Sequence, residues 1–240
     1  VDVTALARFA LFYARRYDVE PQGHTQYRLK LGYASSHQKA LDTVPGGSHA
    51  LDLGCGAGLY SSWLAGNGWQ VNALDVNEPP AIQGVQTRVC NLENGLPFPD
   101  QSFDMILAWD VLEHLSNEQL IWTDIARLLR PSGILIGSVP HHADQRLHPY
   151  NLAFKHHIDK THQREYSPED LTSRMKAAQL IPLAVELKGP VSPQVIAEFV
   201  SFSPARRPVA LWVGAMRRLG LLKFGELYAD IFFAGRKEKA

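Results

Sequence analysis

Short apolar runs alternate with amphipathic stretches between residues 50 and 139 of the chain. Runs of four to six mainly aliphatic residues are typical of strands that are buried on both faces. Five strands are predicted in this way, at Ala50–Leu53, Val71–Leu74, Val85–Cys90, Met105–Ala108 and Ile134–Val139. Apolar residues recur at helical spacing in Leu59–Ala65 and Asn117–Leu129. This alternation predicts an α/β fold in which helices cover both faces of a mostly parallel sheet.

The segments on either side of this alternating region follow other patterns. Val3–Tyr17 has the spacing of an amphipathic helix, and a second helical stretch, Ser35–Val44, stops at a Pro-Gly-Gly turn. Beyond Val139, a polar connection rich in histidine runs from His141 to Tyr166. This connection is longer than a routine turn, and such connections are usually functional or form a lid.

A third helix is predicted after the polar connection. Ser167 is a favourable N-cap residue, and proline and two acidic residues follow it, so the helix would run from there to about Ala178. Two further strands are expected near Leu183–Leu187 and Ala229–Arg236, with a helical insertion at about 190–225. We therefore predict one domain over residues 1–240, made of an N-terminal helical cap (1–45), a core (46–140) and a C-terminal half (141–240).

Composition narrows the function classes. The 24 basic residues balance the 24 acidic ones, which argues against a nucleic-acid-binding protein that depends on bulk positive charge. Two cysteines are too few for a disulfide framework. The sequence shows no charged-then-apolar leader and no apolar run of about 20 residues, so we expect a cytoplasmic protein. From Ser201 onward there are eight basic residues against three acidic ones, a surplus that an ordinary solvated face would explain.

A glycine loop is the most informative motif. Asp52-Leu53-Gly54-Cys55-Gly56-Ala57-Gly58 follows a predicted strand and leads into a predicted helix, where glycines permit a sharp turn and the close approach of a ligand. The next strand ends at Asp75, whose carboxylate is placed to accept hydrogen bonds from both hydroxyls of a ribose. The nicotinamide-type fingerprint would need glycine or alanine at Leu59. These residues indicate a ligand that contains adenosine and has an anionic end.

Four motifs in order give the chain a resemblance to class I S-adenosylmethionine-dependent methyltransferases of the type 11/23 small-molecule group. The motifs are the glycine loop at Leu51–Gly58, the segment Leu92–Asp104, the segment Asp110–Leu115 and the segment Leu128–Leu135. The resemblance is strong over residues 45–140 and looser through Asp159–Leu171. It implies a Rossmann-like sheet of seven strands with the last antiparallel, and a cofactor that lies between the first and fourth strands.

The resemblance also assigns cofactor-binding residues. S-adenosylmethionine, which leaves as S-adenosylhomocysteine, would be bound by the core, and the acceptor by the C-terminal half. Asp75 would hold the ribose, with Val76 beside the adenine. Asn91 and Leu92 would meet the adenine edge and face, although many relatives have aspartate in place of Asn91. The loop residues Asp52, Gly54, Cys55, Gly56 and Gly58 would shape the pocket for the methionine part of the cofactor. The backbone around Trp109 would receive the methionine amino group.

Methyl transfer from a sulfonium mainly requires alignment of donor and acceptor and exclusion of water. A general base is needed when the acceptor is a protonated alcohol or phenol. His114 and Asp110 are the catalytic candidates, and His114 is preferred because an imidazole titrates near neutral pH. Alternatively, Glu113 and His114 would have only a structural role, in which they pack against the fold and cap a helix.

The histidine-rich segment has no spacing that matches a known metal-ligand pattern, so we expect no metal site. We expect this segment to contribute hydrogen bonds to the acceptor pocket instead, through Tyr150, Asn151, His162 and Tyr166.

The sequence therefore predicts an enzyme that methylates a small-molecule or lipid-linked acceptor, most readily at oxygen. Two alternatives remain open: a non-catalytic S-adenosylmethionine-binding or regulatory protein, and a methyltransferase that acts on a protein. The apolar stretch Pro208–Met216 precedes Arg217 and Arg218 in the insertion. It would pack on the sheet edge or in a homodimer, cap the acceptor pocket through Trp212, or contact a membrane surface peripherally.

Overall fold

The fold is known from a computed structural model. The structure describes residues 48–142, 161–191, 211–221 (without 213 and 217) and 227–239. The predicted N-terminal helices within residues 1–45 lie outside the described residues, and the division of the chain into a cap, a core and a C-terminal half stays a prediction.

A seven-stranded sheet forms the centre of the molecule, in the order β3-β2-β1-β4-β5-β7-β6. Its strands are β1 (His49–Leu53), β2 (Gln70–Asp75), β3 (Val85–Val89), β4 (Phe103–Trp109), β5 (Leu129–Pro140), β6 (Leu180–Val191) and β7 (Leu227–Lys237). The first five strands pair in parallel, whereas β7 is antiparallel to both of its neighbours. The predicted mostly parallel sheet with an antiparallel last strand is confirmed.

Three named helices accompany the described strands: α1 (Leu59–Gly66), α2 (Glu118–Leu128) and α3 (Pro168–Ala177). Short 3₁₀ turns occupy Leu92–Asn94 and Leu112–His114. The predicted start of α3 is confirmed, because the Ser167 side chain accepts a hydrogen bond from the Asp170 N–H while the Asp170 carboxylate accepts one from the Ser167 N–H. This reciprocal capping satisfies two backbone donors that the first helical turn would otherwise leave without a partner.

Apolar residues of the sheet pack on both of its faces. Leu51 of β1 shares a core with Ile121 of α2 and Leu171 of α3. Its neighbour Ala50 joins a second core with Leu64 of α1. Adjacent residues of a strand point to opposite faces, so these two cores show that helices cover the sheet on both sides. The central strands β1, β4 and β5 are buried along most of their length, whereas β3 at the edge of the sheet is half-buried or exposed.

Strands β5 to β7 are longer than predicted. The sequence pattern predicts that this strand starts at Ile134, but β5 already begins at Leu129, and its register against β4 shifts between Phe103 and Met105. Further along β5, a Cβ at Gly137 would lie 2.1 Å from the Ala108 carbonyl oxygen and 2.6 Å from Cζ of Phe233. Glycine is needed at position 137 because any side chain would collide with both neighbouring strands.

The helical insertion is described only in part. Residues 211, 212, 214–216 and 218 have helical backbone, and Leu211, Trp212, Leu219 and Leu221 are exposed. Among the described residues, no helix has both the length and the apolar character that crossing a bilayer requires. A lid over the acceptor, a homodimer contact and a peripheral membrane contact all stay predictions for this insertion.

Candidate active site

A pocket of about 510 Å³ lies at the carboxyl ends of the parallel strands. Its walls include Gly54 after β1, Asp75 at the end of β2 and Asp110 after β4. Strand β1 has β2 on one side and β4 on the other, so the chain moves in opposite directions across the sheet from this point. Open α/β sheets bind their ligands at such a topological switch point.

The glycine loop closes one end of the pocket. Gly54 has φ 64°, and a Cβ there would lie 2.7 Å from Cγ2 of Val111, so a side chain would both strain the backbone and collide with the opposite wall. The Gly58 N–H donates to the Cys55 carbonyl over 2.8 Å, and α1 begins directly afterwards. Cys55, Gly56 and Gly58 shape this turn but are not among the residues that line the pocket.

Asp75 joins the glycine loop to the end of β2. One carboxylate oxygen accepts from the Gly56 N–H over 2.9 Å, and the other accepts from the Asn77 N–H over 2.9 Å. Each carboxylate oxygen has a second lone pair, so the group is held in place and still able to accept from two ligand hydroxyls. Val76 lines the pocket beside it and is 64% exposed.

Asp52 lies beneath the glycine loop and is not among the residues that line the pocket. It is 1% exposed, and its carboxyl group accepts a 2.6 Å hydrogen bond from the Ser61 hydroxyl on α1. Burial raises the pKa of Asp52 to about 7, and the hydrogen bonds from Ser61 only partly oppose this rise. Asp52 therefore supports the glycine loop from below by fixing α1 to β1.

The predicted adenine site forms a second wall. Asn91 and Leu92 both line the pocket. The Asn91 side-chain oxygen accepts from the Glu93 N–H over 3.0 Å, which caps the 3₁₀ turn and fixes the orientation of the amide. One lone pair of this oxygen remains for an amino group of a ligand.

Glu93 is a pocket residue that the sequence analysis missed. Its carboxylate accepts 2.5 Å hydrogen bonds from both the backbone N–H and the hydroxyl of Ser116. These bonds lower the pKa of Glu93. They join two walls of the pocket that lie 23 residues apart in the chain. Such a contact has no local sequence signal.

Asp110 follows β4 with φ 49°, a left-handed conformation that aspartate tolerates better than most residues. Its carboxylate accepts a 2.5 Å hydrogen bond from the Ser138 hydroxyl at the end of β5. This bond fixes the orientation of the Asp110 carboxylate at the pocket wall. The Trp109 side chain stacks on Tyr60 at 4.6 Å between ring centroids, and Trp109 is not among the residues that line the pocket.

The remaining wall brings His114 together with the segment 161–166. Thr161 Oγ1 lies 2.9 Å from Nδ1 of His114, and the His114 and His162 rings meet edge to face at 4.6 Å. The Gln163 N–H donates to the Glu113 carbonyl over 2.7 Å, and Gln163 lines the pocket. His114, predicted as the candidate base, therefore lies at the pocket wall with one ring nitrogen engaged.

Tyr166 does not take the role expected of it. Its side chain is fully buried, and its hydroxyl donates to Glu118 over 2.9 Å, so it supplies no hydrogen bond to the pocket. Burial raises the pKa of the Tyr166 hydroxyl far above its usual range, and the nearby Glu118 raises it further. Tyr150 and Asn151 lie outside the described residues.

One group of side chains has the composition of a metal site. Ligand atoms of Glu113, His114 and His162 all lie within 4.8 Å of one another. The absence of a metal, which we expected from sequence spacing, stays a prediction that must be tested against this group.

A family model described as a methyltransferase domain matches residues 24–185 of the chain. The chain belongs to the methyltransferase-domain family. The resemblance to class I S-adenosylmethionine-dependent methyltransferases is thereby confirmed, together with its cofactor.

Several curated proteins are similar to this methyltransferase domain. A demethylmenaquinone methyltransferase of Tropheryma whipplei is 36% identical over 101 residues, which are 39% of this chain and 42% of that protein. A ubiquinone biosynthesis O-methyltransferase of Aeromonas salmonicida is 27% identical over 147 residues, covering 55% of this chain and 60% of that protein. A 2-methyl-6-phytyl-1,4-hydroquinone methyltransferase of Synechocystis is 23% identical over 214 residues, covering 83% and 64%. The matches thus span about half of the relatives' lengths.

Several solved structures have a fold similar to that of this chain. A methyltransferase dependent on S-adenosylmethionine from Archaeoglobus fulgidus has a TM-score of 0.60 at 17% identity, with 95% of this chain and 99% of that chain covered. One from Mesorhizobium loti has a TM-score of 0.54 at 18% identity, with 86% and 100% covered.

The charge of the pocket of this methyltransferase domain is suitable for the cofactor. Asp75, Glu93 and Asp110 line it, and none of the described lining residues is lysine or arginine. S-adenosylmethionine carries a sulfonium and an ammonium against one carboxylate, so a pocket with three carboxylates attracts it. When bound, the cofactor supplies an electrophilic methyl group on sulfur.

Proposed function

We propose that this protein transfers the methyl group of S-adenosylmethionine to an oxygen atom of a small molecule, and that the acceptor is a phenol or hydroquinone with an isoprenoid tail. Asp75 would bind the ribose, Asn91 and Leu92 the adenine, and the loop at Gly54 the methionine part. The observation that carries the proposal is a single pocket lined by both Asp75, the ribose candidate, and His114, the candidate base.

The proposed reaction is an in-line displacement. The acceptor oxygen forms a bond to the methyl carbon while the carbon–sulfur bond breaks, and its electron pair stays on sulfur to give neutral S-adenosylhomocysteine. The acceptor hydroxyl gives its proton to the ring nitrogen of His114 that Thr161 does not engage. The contact between Thr161 Oγ1 and Nδ1 supports this role because it orients the imidazole.

The apolar lining supports an acceptor with a hydrophobic part. Besides the residues assigned to the adenine, Val111 and Leu115 contribute apolar surface to the pocket. The names of the relatives point in the same direction: one acts on a phytyl-bearing hydroquinone, one on demethylmenaquinone, and one is an O-methyltransferase of ubiquinone biosynthesis.

The test is a transfer assay with S-adenosylmethionine labelled in its methyl group. The acceptors are geranylated catechol, catechol without the tail, and geranylated catechol with both hydroxyls already methylated. We expect transfer to the first compound, weaker transfer to the second and none to the third. Label on the third compound would show carbon methylation. Binding of S-adenosylhomocysteine with no transfer to any of the three would favour the non-catalytic alternative or a protein acceptor.

Substitution of the candidate base refines the test. His114→Ala should lower kcat by about 10²- to 10⁴-fold and leave the affinity for S-adenosylhomocysteine unchanged. His49→Ala is the matched control, because this histidine lies at the start of β1, away from the pocket at the carboxyl ends of the strands. We also expect EDTA to leave the rate within about twofold of the untreated enzyme, since proton removal is assigned to an imidazole. Loss of activity in EDTA with recovery on addition of a divalent cation would instead make Glu113, His114 and His162 ligands.

A further inference from the structure

A buried carboxylate at the start of α2 collects four hydrogen-bond donors. Glu118 is 3% exposed. One of its oxygens accepts from Trp122 Nε1 over 2.8 Å and from the Tyr166 hydroxyl over 2.9 Å. The other accepts from Arg164 and lies 2.6 Å from Nη1 of Arg174. Three of these partners lie 46 to 56 residues further along the chain, so the carboxylate fastens α2 to a distant segment and to α3.

Arg164 connects this carboxylate to the wall of the pocket. While Nη1 donates to Glu118, Nη2 donates to the carbonyl oxygens of Leu115 over 2.7 Å and Ser116 over 3.0 Å. Leu115 and Ser116 line the pocket. A single guanidinium group thus bridges the segment 161–166 and the loop that leads into α2. The planar, fork-shaped donor set of arginine suits such a bridge, and lysine lacks it.

The segment fastened in this way supplies the contacts to His114. Thr161 reaches Nδ1 of His114, and the Gln163 N–H donates to the Glu113 carbonyl. At its other end the segment is fixed by backbone contacts, because the His142 N–H donates to the Tyr166 carbonyl over 3.1 Å. The Tyr166 carbonyl also accepts from Nδ1 of His142 over 2.8 Å. Arg164 lies between these two ends, and its partner Glu118 lies on α2.

We propose that Glu118 and Arg164 are positioning residues, which hold the segment 161–166 against the pocket and thereby set the orientation of the His114 imidazole. The catalytic consequence of this arrangement rests on the proposed function, in which His114 is the base. Glu118 touches neither cofactor nor acceptor in this scheme and acts only through Arg164 and Tyr166. Removing its charge leaves two guanidinium groups facing each other without their shared carboxylate, which favours separation of the segment from α2.

The primary variant is Glu118→Gln, which keeps the size of the side chain and removes the charge. Its matched control is Asp124→Asn, because Asp124 is another buried carboxylate of α2 that pairs with an arginine, Arg127, at 2.7 Å. Asp124 also accepts from the Leu96 N–H over 2.8 Å. Both of these partners lie outside the segment 161–166, so Asp124→Asn measures the general cost of losing a buried charge.

The readout is the nitrogen NMR spectrum of His114 across a pH titration, in protein labelled on histidine. In Glu118→Gln we expect the His114 signals to move to those of an imidazole that exchanges freely between tautomers. Hydrogen exchange at the Gln163 amide should become at least tenfold faster, while the affinity for S-adenosylhomocysteine stays within twofold of wild type. In the transfer assay, kcat for geranylated catechol should fall at least tenfold, in the same direction as the effect of His114→Ala.

Arg164→Lys provides a second test if Glu118→Gln does not fold. This variant keeps the positive charge beside Glu118 but cannot bridge both the carboxylate and the two carbonyls, so it should show the same His114 change in weaker form. The proposal is overturned if His114 and the Gln163 amide behave as in wild type in the folded variants. It is also overturned if Asp124→Asn produces the same changes. Failure of every acceptor with the wild-type protein would refute the proposed function alone, since the NMR and exchange readouts need no acceptor.

Discussion

Two buried carboxylates support the two sides of the pocket, and they do so in different ways. Asp52 lies beneath the glycine loop on the cofactor side, and its hydrogen-bond partner, Ser61, is nine residues away. Glu118 lies on the acceptor side and is compensated by two arginines, 46 and 56 residues away. The cofactor side is therefore built from contacts close in sequence, and the acceptor side from long-range ion pairs.

The largest expected effect concerns the charge state of Asp52. Its folded-state pKa of about 7 lies above the ordinary value of 3.8. Between these values the folded protein holds a proton that the unfolded chain has lost, so stability is highest below pH 4 for this group and falls as pH rises to about 7. At about 1.4 kcal/mol per pH unit, the loss amounts to about 4 kcal/mol.

Urea unfolding of the wild type at pH 5 and pH 8, compared with Asp52→Asn, should register about 3 kcal/mol of this loss, because pH 5 already lies above 3.8. The neutral amide should remove most of the pH dependence. Parallel curves for the two proteins would show that Asp52 does not carry the proton, and would break the contrast between a neutral carboxyl on the cofactor side and a charge-compensated one on the acceptor side.

A side chain at Gly54 should have the next largest effect. Gly54→Val places carbon atoms where Cγ2 of Val111 is only 2.7 Å from a Cβ, in a backbone conformation with φ 64°. We expect a loss of about 3 kcal/mol in the affinity for S-adenosylhomocysteine, or roughly 100-fold, by calorimetry. Gly66→Ala is the control, because a Cβ there meets nothing within 4 Å and alanine favours the helix. Wild-type affinity in folded Gly54→Val would contradict the role of the loop.

The smallest of the three effects is expected at Asp75. Asp75→Ala removes the acceptor for the ribose hydroxyls and should weaken binding of S-adenosylhomocysteine by about 1.5–3 kcal/mol. Glu78→Ala changes an exposed acidic residue three positions away that does not line the pocket, and it should leave binding unchanged. Equal losses in both variants would mean that general negative charge, and not a directed hydrogen bond, attracts the cofactor. That outcome would also mean that the cofactor does not depend on specific contacts made by the glycine loop and the end of β2.

The contrast between the two sides explains what could be predicted from the sequence. The loop around Gly54 and the strand end at Asp75 were recognisable because a turn, a strand and a helix follow one another within a few residues. The contact of Asp52 with α1 was not predictable, since the sequence does not reveal whether a carboxylate at a strand end faces a ligand or a helix. Glu118 and Arg164 were missed altogether, because only the folded sheet brings α2 next to residues 161–166. Tyr166 was misassigned for the same reason.

The thiol within the glycine loop has a chemical consequence of its own. Cys55 lies between Gly54 and Gly56 and is 9% exposed, and burial raises the pKa of its thiol to about 12. Alkylating and oxidising agents attack the thiolate, which is scarce at neutral pH under these conditions. Modification of Cys55 must therefore wait until the turn opens. The rate at which iodoacetamide labels Cys55 therefore reports how often the loop opens, and a bound cofactor should lower that rate.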